Sequence, residues 1–143
     1  MAVSRRMLLA LAGWLTLTCL ACVNPLDPLN HEDDFRRLQK RFTQYVRWGK
    51  VHEASVFVVE EQRQEFLALA PELSDIRFTD YEITRLDYED ESAHVDVTLR
   101  GYRLATPVEK IVHLAQHWEK TDDTGWQVRL ELGELKSGLG GPQ

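Results

Sequence analysis

Residues 92–100 read SAHVDVTLR, and in this stretch apolar and polar residues alternate without interruption. A period of two residues predicts a β-strand that turns one face toward a core and the other toward water. The face predicted to lie on the core carries Ala93, Val95, Val97 and Leu99. The opposite face carries His94, Asp96, Thr98 and Arg100. A sheet covered on one side only is typical of antiparallel strands, so this stretch decides the fold class.

The same period continues on both sides of this stretch and predicts four antiparallel strands in a meander. Upstream, the alternation runs over residues 76–88 and slips twice in phase, which indicates β-bulges in a long, bent strand. Downstream, a turn over residues 102–107 leads to a strand at residues 108–120, and a hairpin turn at residues 122–125 leads to the last strand. The core faces of the last two strands are predicted to carry Val108, Val112, Leu114, Gln116, Trp118, Trp126, Val128 and Leu130.

Ahead of the strands, residues 35–49 repeat their apolar positions at helical spacing. This spacing predicts a helix that ends at Gly49, because glycine readily adopts the left-handed conformation that follows a helix. The start of the helix stays open between Pro28, with Asp27 as its cap, and Asn30. The predicted core face carries Phe35, Leu38, Phe42, Tyr45 and Val46.

Residues 51–70 are also predicted to be helical, in two pieces, and Pro71 is expected to end them. Helices that precede a run of strands predict an α+β domain. We therefore expect N-terminal helices packed on one face of a curved four-stranded antiparallel sheet.

The pattern of these elements resembles a known superfamily. The residues that carry the resemblance are Phe42, Tyr45, Gly49, Glu53-Ala54, Phe57-Val58, Arg63, Phe66, Trp118-Glu119 and Gly125-Trp126-Gln127-Val128. Over residues 34–132 the chain resembles the small NTF2-like (cystatin-like cone) domains of bacterial lipoproteins. The resemblance implies that the helices and the sheet form a cone, and enzymes on that fold place an ionisable pair inside the cone.

The first 22 residues, MAVSRRMLLALAGWLTLTCLAC, have the organisation of an export signal. Arg5 and Arg6 precede an uncharged apolar run at residues 7–17, which has the length of a signal-peptide core. Ala21 directly before Cys22 resembles the lipobox of bacterial lipoproteins, which implies cleavage at this point and lipidation of Cys22. Lipidation of Cys19, plain secretion and an uncleaved anchor stay open as alternatives, the last because residues 7–23 carry no charge and are just long enough to span a bilayer.

These features predict a signal peptide at residues 1–21, a tether at 22–34, an NTF2-like α+β domain at 35–134 and a flexible tail at 135–143. The lipoprotein resemblance implies that more than one acyl chain holds the protein on the membrane. Because Val23 rather than an aspartate follows Cys22, the resemblance favours the outer membrane, with the domain facing the periplasm. The choice between inner and outer membrane stays open, as does the oligomeric state.

The distribution of charge bears on the partners of the domain. Loss of Arg5 and Arg6 with the leader leaves 15 basic and 23 acidic side chains, a formal charge of −8 that argues against nucleic acid as a partner. The basic residues concentrate in residues 35–50, where no acidic residue occurs. This stretch is either a solvated helix face or a contact with anionic lipid headgroups, where each Lys or Arg contributes about 1 kcal/mol. The candidate contact residues are Arg36, Arg37, Lys40, Arg41, Arg47 and Trp48.

Residues that could support catalysis are scarce on the predicted core side, where Gln116 is the one polar residue of the last three strands. On a strand, His113 and His117 would lie about 13 Å apart, which is too far to bind one ion. Both cysteines lie in the leader, and no serine stands at a motif spacing from a histidine. We therefore expect no catalytic residue, no metal site and no cofactor.

These observations predict a lipid-anchored, extracytoplasmic envelope lipoprotein that acts as a non-catalytic binding or accessory module, with an unidentified envelope protein as partner. Two other classes stay open. A small-molecule enzyme or lipid-binding cone of the NTF2-like type would need an enclosed apolar cavity with an ionisable group inside. A structural subunit of an envelope assembly would need an exposed hydrophobic patch or an open sheet edge.

Overall fold

Four strands form one antiparallel sheet in the order β1-β2-β3-β4 in this computed structural model, which describes residues 28–140. The strands are β1 (Ile76–Tyr88), β2 (Ser92–Arg103), β3 (Glu109–Thr121) and β4 (Gly125–Leu130). The helices are α1 (Pro28–Arg47), α2 (Val51–Ser55), α3 (Glu60–Leu67), α4 (Ala70–Ser74) and α5 (Leu132–Leu139). Helices α1 to α4 precede the sheet and share one core with its inner face, so the predicted α+β architecture is confirmed.

β1 is a long strand with two irregularities, as the two phase slips in its sequence predict. Its register with β2 shifts between Phe78 and Asp80 and again between Ile83 and Arg85. Each shift leaves one residue of β1 without a partner opposite it, which is the pairing pattern of a β-bulge. This edge of the sheet is therefore bent rather than straight.

α1 begins before the predicted domain boundary. The tether predicted at residues 22–34 is wrong from Pro28 onward, where the helix already starts. Proline suits this position because its ring fixes φ near the helical value and its missing N–H would have no partner in the first turn. The predicted end is confirmed: Gly49 has a φ of 65°, and its N–H donates to the Val46 carbonyl at 3.0 Å.

Two other expectations at the ends of elements are wrong. Pro71 does not end the helical region, because it lies in the first turn of α4, where a proline is tolerated. Val108 was expected on the core face of β3, but the strand starts one residue later and the Val108 side chain is exposed. The predicted division of residues 51–70 into two helical pieces is confirmed by α2 and α3.

The flexible tail predicted at residues 135–143 is wrong as far as Leu139, because these residues belong to α5. β4 pairs with β3 only between Gln116 and Thr121, which leaves the other half of the β3 edge without a neighbouring strand. α5 packs against β3 and covers that half. The side chains that α5 buries in the core are Leu132, Leu135 and Leu139.

The outer edge of β4 is covered by the segment that joins α2 to α3. The Val59 N–H donates to the Val128 carbonyl at 3.0 Å, and the Val128 N–H donates to the Phe57 carbonyl at 2.7 Å. The side-chain amide of Gln62 continues this pairing, since it donates to the Leu130 carbonyl at 3.0 Å and accepts from the Leu130 N–H at 2.8 Å. The outward backbone groups of Val128 and Leu130 are therefore hydrogen-bonded.

Candidate functional site

Aromatic side chains fill the space between the helices and the sheet. Phe35 and Phe42 of α1 meet Trp118 of β3 edge-on, with ring centroids 5.8 and 5.5 Å apart. Phe66 of α3 lies 6.4 Å from Phe42, centroid to centroid. All four side chains are fully buried. Packed rings thus occupy the region in which the NTF2-like resemblance would place an ionisable pair.

The buried polar groups of this interior form a neutral hydrogen-bond network. Gln39 Nε2 donates to Thr43 Oγ1 at 2.9 Å and to Gln116 Oε1 at 3.2 Å. Trp118 Nε1 donates to the same Gln116 oxygen at 3.0 Å. Gln116 was predicted on the core face, whereas Gln39 and Thr43 were missed, although they follow Phe35 at helical spacing. Neutral amides and a hydroxyl suit packing between α1 and β3, and none of them is a general acid or base near neutral pH.

Tyr88 lies at the rim of the aromatic interior. Its ring centroid is 5.4 Å from that of Phe35 and 6.1 Å from that of Trp126. Its hydroxyl is buried and has no hydrogen-bond partner in the described part of the chain. Burial raises the pKa of Tyr88 above its usual value of 10.0, and the negative charges of Asp90 and Glu32 act in the same direction. Tyr88 is therefore a neutral phenol at physiological pH.

One side of α1 points away from the sheet and carries most of the basic residues singled out in the sequence. The residues of this basic face are Arg36, Arg37, Lys40 and Arg41, all exposed. Arg36 pairs with Glu32 at 2.6 Å, and Arg37 pairs with Asp34. Lys40 and Arg41 form no ion pair within residues 28–140, so these two cations are available to an external anion.

Arg47 and Trp48, at the end of α1, differ in their surroundings. Arg47 is half-buried, because its guanidinium donates to the Thr79 carbonyl of β1 and lies 5.8 Å from the centroid of the Tyr81 ring. Arg47 is thus engaged by the sheet and does not belong to the basic face. Trp48 is 62% exposed, with the Arg47 guanidinium 5.2 Å from its ring centroid. An exposed indole beside cations is typical of side chains at a membrane interface.

Cys22 and Cys19, the candidate lipidation residues, lie outside the described residues 28–140. Within that range, none of the helices combines the length and the hydropathy that a membrane span requires. In the same part of the chain, no three or more His, Cys, Asp or Glu side chains are grouped so as to hold a metal ion. Histidine and acidic side chains meet one another on the outer face of the sheet.

This outer face points away from helices α1 to α4 and carries His94, Asp96, His113 and His117, as the alternation predicts. His113 Nδ1 lies 3.2 Å from Thr98 Oγ1. His117 instead faces His94 across the β2–β3 ladder, with their Nδ1 atoms 3.0 Å apart. His94 Nε2 donates to Asp96 Oδ1 at 2.9 Å. The sequence placed these residues on one face but missed the His94–His117 pair, which depends on the register of two strands.

Two shallow grooves of about 310 and about 390 Å³ meet at the His94–His117 pair. The carboxylates that line the grooves are Asp87, Glu89, Asp96, Glu119, Glu131 and Glu134. Apart from the histidines, Arg85 is the one basic residue in the lining of these two grooves. The pair therefore lies on a negatively charged surface, on the opposite side of the sheet from α1.

No protein-family model matches the sequence, and no curated protein matches it. Among solved structures, the chain is similar to a crystal structure from Campylobacter jejuni that is described as a "Putative NTF2-like transpeptidase". The identity is 14%, the TM-score is 0.44, and the alignment covers 65% of this chain and 94% of that chain. At this level of overlap the similarity concerns the course of the chain and says nothing about chemistry.

Proposed function

We propose that this protein is a lipid-anchored module of the bacterial cell envelope, joined to the membrane at Cys22 and resting on anionic headgroups through the basic face of α1. It acts in the periplasm as a non-catalytic binding or accessory module, with the outer membrane as the expected location because Val23 follows Cys22. The observation that carries the proposal is the basic face itself, which is exposed and follows the lipobox-like leader closely in the chain.

The short distance between the proposed anchor and the helix supports this arrangement. Residues 23–27 are all that separates Cys22 from the first residue of α1. Six Cα-to-Cα steps span at most about 20 Å. α1 has 20 residues, and a helix of that length is about 30 Å long. An acyl group at Cys22 would hold the whole basic face within reach of the headgroups.

Lys40 and Arg41 are the residues we expect to contribute most to lipid contact. Each contributes about 1 kcal/mol near an anionic leaflet. Arg36 and Arg37 would have to leave their exposed acidic partners before they could bind a headgroup. Exposed ion pairs of this kind stabilise by only about 0–1 kcal/mol. A total of about 2 kcal/mol is too small to hold a protein on a membrane but large enough to orient a domain that is already anchored.

The packed interior supports a module without catalysis in preference to an enzyme. Phe35, Phe42 and Trp118 occupy the centre, and Gln116 is held by two donors there. A substrate entering this space would have to displace rings that pack at close to crystalline density.

The basic face can be tested with the lipidated full chain in vesicles that contain brominated phospholipids. The contribution of Trp48 is obtained by difference: the fluorescence loss of the Trp48→Phe variant is subtracted from that of the natural chain, and the remainder is the Trp48 quenching. We expect this quenching in anionic vesicles and a clear decrease in the Lys40→Glu/Arg41→Glu variant, because the charge reversal removes the attraction. Added salt should lower it in the same way.

A matched control carries the same change of charge on the sheet. The Arg100→Glu/Lys120→Glu variant alters exposed residues of β2 and β3 and should leave Trp48 quenching unchanged. Equal quenching in neutral and anionic vesicles for every variant would show that the basic face is merely solvated.

A further inference from the structure

Each ring of the His94–His117 pair faces a carboxylate as well as the other ring, which a simple contact between two strands does not require. Because a carboxylate only accepts hydrogen bonds, His94 donates from Nε2 to Asp96 and keeps a lone pair on Nδ1. The Nδ1 atom of His117 lies 3.0 Å from that lone pair. On its other side, His117 Nε2 lies 3.6 Å from Glu131 Oε1. Each imidazole thus turns one nitrogen to a carboxylate and the other to its neighbour.

We propose that the two facing Nδ1 atoms form a binding site for a divalent transition-metal ion, with Cu²⁺ preferred. A metal-bound histidine typically donates its other N–H to a carboxylate, which fixes the tautomer and the orientation of the ring. Asp96 stands in that position for His94 at 2.9 Å, and Glu131 is the carboxylate nearest the corresponding nitrogen of His117, at 3.6 Å. Imidazole nitrogen is a ligand that suits Cu²⁺, Ni²⁺ and Zn²⁺.

The separation of the two nitrogens indicates the coordination geometry. With metal–nitrogen distances of about 2.0–2.1 Å, ligands 3.0 Å apart subtend an angle of about 95° at the ion. This angle suits neighbouring positions of a square-planar or tetragonal ion and is smaller than a tetrahedral angle. Tetragonal nitrogen sites favour Cu²⁺ and Ni²⁺ over Zn²⁺, and Cu²⁺ binds most strongly in the divalent series.

Binding requires a hydrogen to leave the space between the rings. In the metal-free pair, His117 Nδ1 donates this hydrogen to His94 Nδ1. When the ion binds, His117 Nδ1 loses the hydrogen and coordinates through its lone pair. A neutral His117 then carries the hydrogen on Nε2, toward Glu131, and a charged His117 releases it to the solvent. Protons compete with the ion for the same lone pairs, so affinity should fall on acidification.

The surroundings of the pair favour a cation. Arg85 of β1 and Arg129 of β4, which lies opposite His117, have acidic partners of their own, since Arg85 donates to Asp87 at 2.5 Å and Arg129 lies 3.9 Å from Glu61. Apart from Arg85, no Lys or Arg lines the two grooves, so the other carboxylates of the lining have no such cation among the lining residues. His94 is 27% exposed and His117 is 44% exposed, so a hydrated ion can reach both nitrogens and keep water as its remaining ligands.

The site can be tested by titrating the full chain, purified in detergent without a histidine tag, with Cu²⁺. We expect one tightly bound ion whose electron paramagnetic resonance spectrum is tetragonal and shows coupling to two nitrogens. His94→Ala and His117→Ala should each weaken binding roughly tenfold or more, and Asp96→Asn should weaken it about tenfold by releasing the ring of His94. Circular dichroism of each variant establishes that the fold is kept.

His113→Ala is the matched control, because His113 lies on the same strand and face and hydrogen-bonds Thr98 instead. It should bind Cu²⁺ as the natural chain does. Absence of Cu²⁺ binding by the full chain, coupling to a single nitrogen, or an equal loss in His113→Ala would each overturn the site. Tighter binding of Zn²⁺ than of Cu²⁺ would overturn the tetragonal geometry. None of these outcomes depends on membrane anchorage.

Discussion

Gln116 is the residue through which β3 is hydrogen-bonded to α1 inside the core. Its Oε1 accepts from Gln39 and from Trp118 in a site that is closed to solvent. A buried polar group is tolerated only while its partners are present, because an unpaired donor loses its hydrogen bonds to water without compensation. The stability of the interior therefore depends on one neutral amide among aromatic rings.

Replacement of this amide should destabilise the fold. Gln116→Ala leaves the Trp118 indole N–H unpaired, which costs about 1–3 kcal/mol before any cavity is counted. Denaturant unfolding of the full chain measures the loss. Gln44→Ala, on the exposed side of α1, is the control and should change the free energy of unfolding by less than about 0.5 kcal/mol. Equal stabilities of the two variants would contradict the role of the network.

The raised pKa of Tyr88 predicts a specific loss of stability in alkali. The folded protein holds the phenolic proton more tightly than the unfolded chain, so this contribution is complete below the unfolded pKa of about 10 and is lost as the pH rises through the folded pKa. The Tyr88→Phe variant has no phenol to ionise at this position. Above about pH 10 its free energy of unfolding should therefore rise relative to that of the natural chain. Free energies of unfolding measured on both sides of that pH test this, and an identical pH dependence of the two proteins would contradict it.

At the level of elements, features that leave a local signal in the sequence could be predicted more easily than features that depend on which strands pair. The bulges of β1 were found because each shifts the phase of alternation within a few residues. α5 was missed because the glycines of its sequence suggested flexibility, whereas Gly138 allows the helix to approach β3, with a Cβ there only 3.2 Å from the Val112 Cα.

The His94–His117 pair was missed for a related reason. The predicted turn at residues 102–107 would place His94 opposite Ala115. β2 extends into that turn as far as Arg103, β3 starts one residue later than predicted, and Tyr102 pairs with Glu109, so that His94 lies opposite His117. A difference of two residues keeps every side chain on its predicted face but changes its neighbour. Faces could therefore be read from the sequence, and cross-strand contacts could not.

The docking of α5 can be tested through its buried leucines. Leu135 is fully buried, so Leu135→Ala should cost about 2–5 kcal/mol of unfolding free energy. Leu104→Ala removes the same atoms from a side chain that is 59% exposed and should cost less than about 0.5 kcal/mol. If denaturant unfolding gives the same value for both, the segment does not contribute to the core.

At the scale of the molecule, residues 28–140 present two outer surfaces of opposite character. The basic face of α1 lies on one side, and the acidic grooves around His94 and His117 lie on the other. If α1 rests on anionic lipid, the grooves point away from the bilayer into the aqueous compartment. The two proposals thus place lipid and metal ion on separate surfaces, where they do not compete.

The anchor itself is tested by cell fractionation. Cys22→Ser removes the proposed acylation residue and should move the protein from the membrane to the soluble periplasmic fraction. Cys19→Ser is the matched control and should stay with the membrane. The reverse result would assign the anchor to Cys19, and unchanged fractionation of both variants would contradict an acyl anchor.

The hydrogen bonds of Gln62 and the Phe57–Val59 segment to β4 have a consequence for how copies of this chain behave at high density. Proteins that are confined to a surface collide often. A straight edge strand with unpaired backbone groups would then pair with the edge strand of another copy and extend the sheet from molecule to molecule. In this sheet, the β4 edge is hydrogen-bonded to the Gln62 amide and to the loop between α2 and α3. The β1 edge is interrupted by bulges at Thr79 and Thr84. Such a molecule can accumulate on a surface without polymerising.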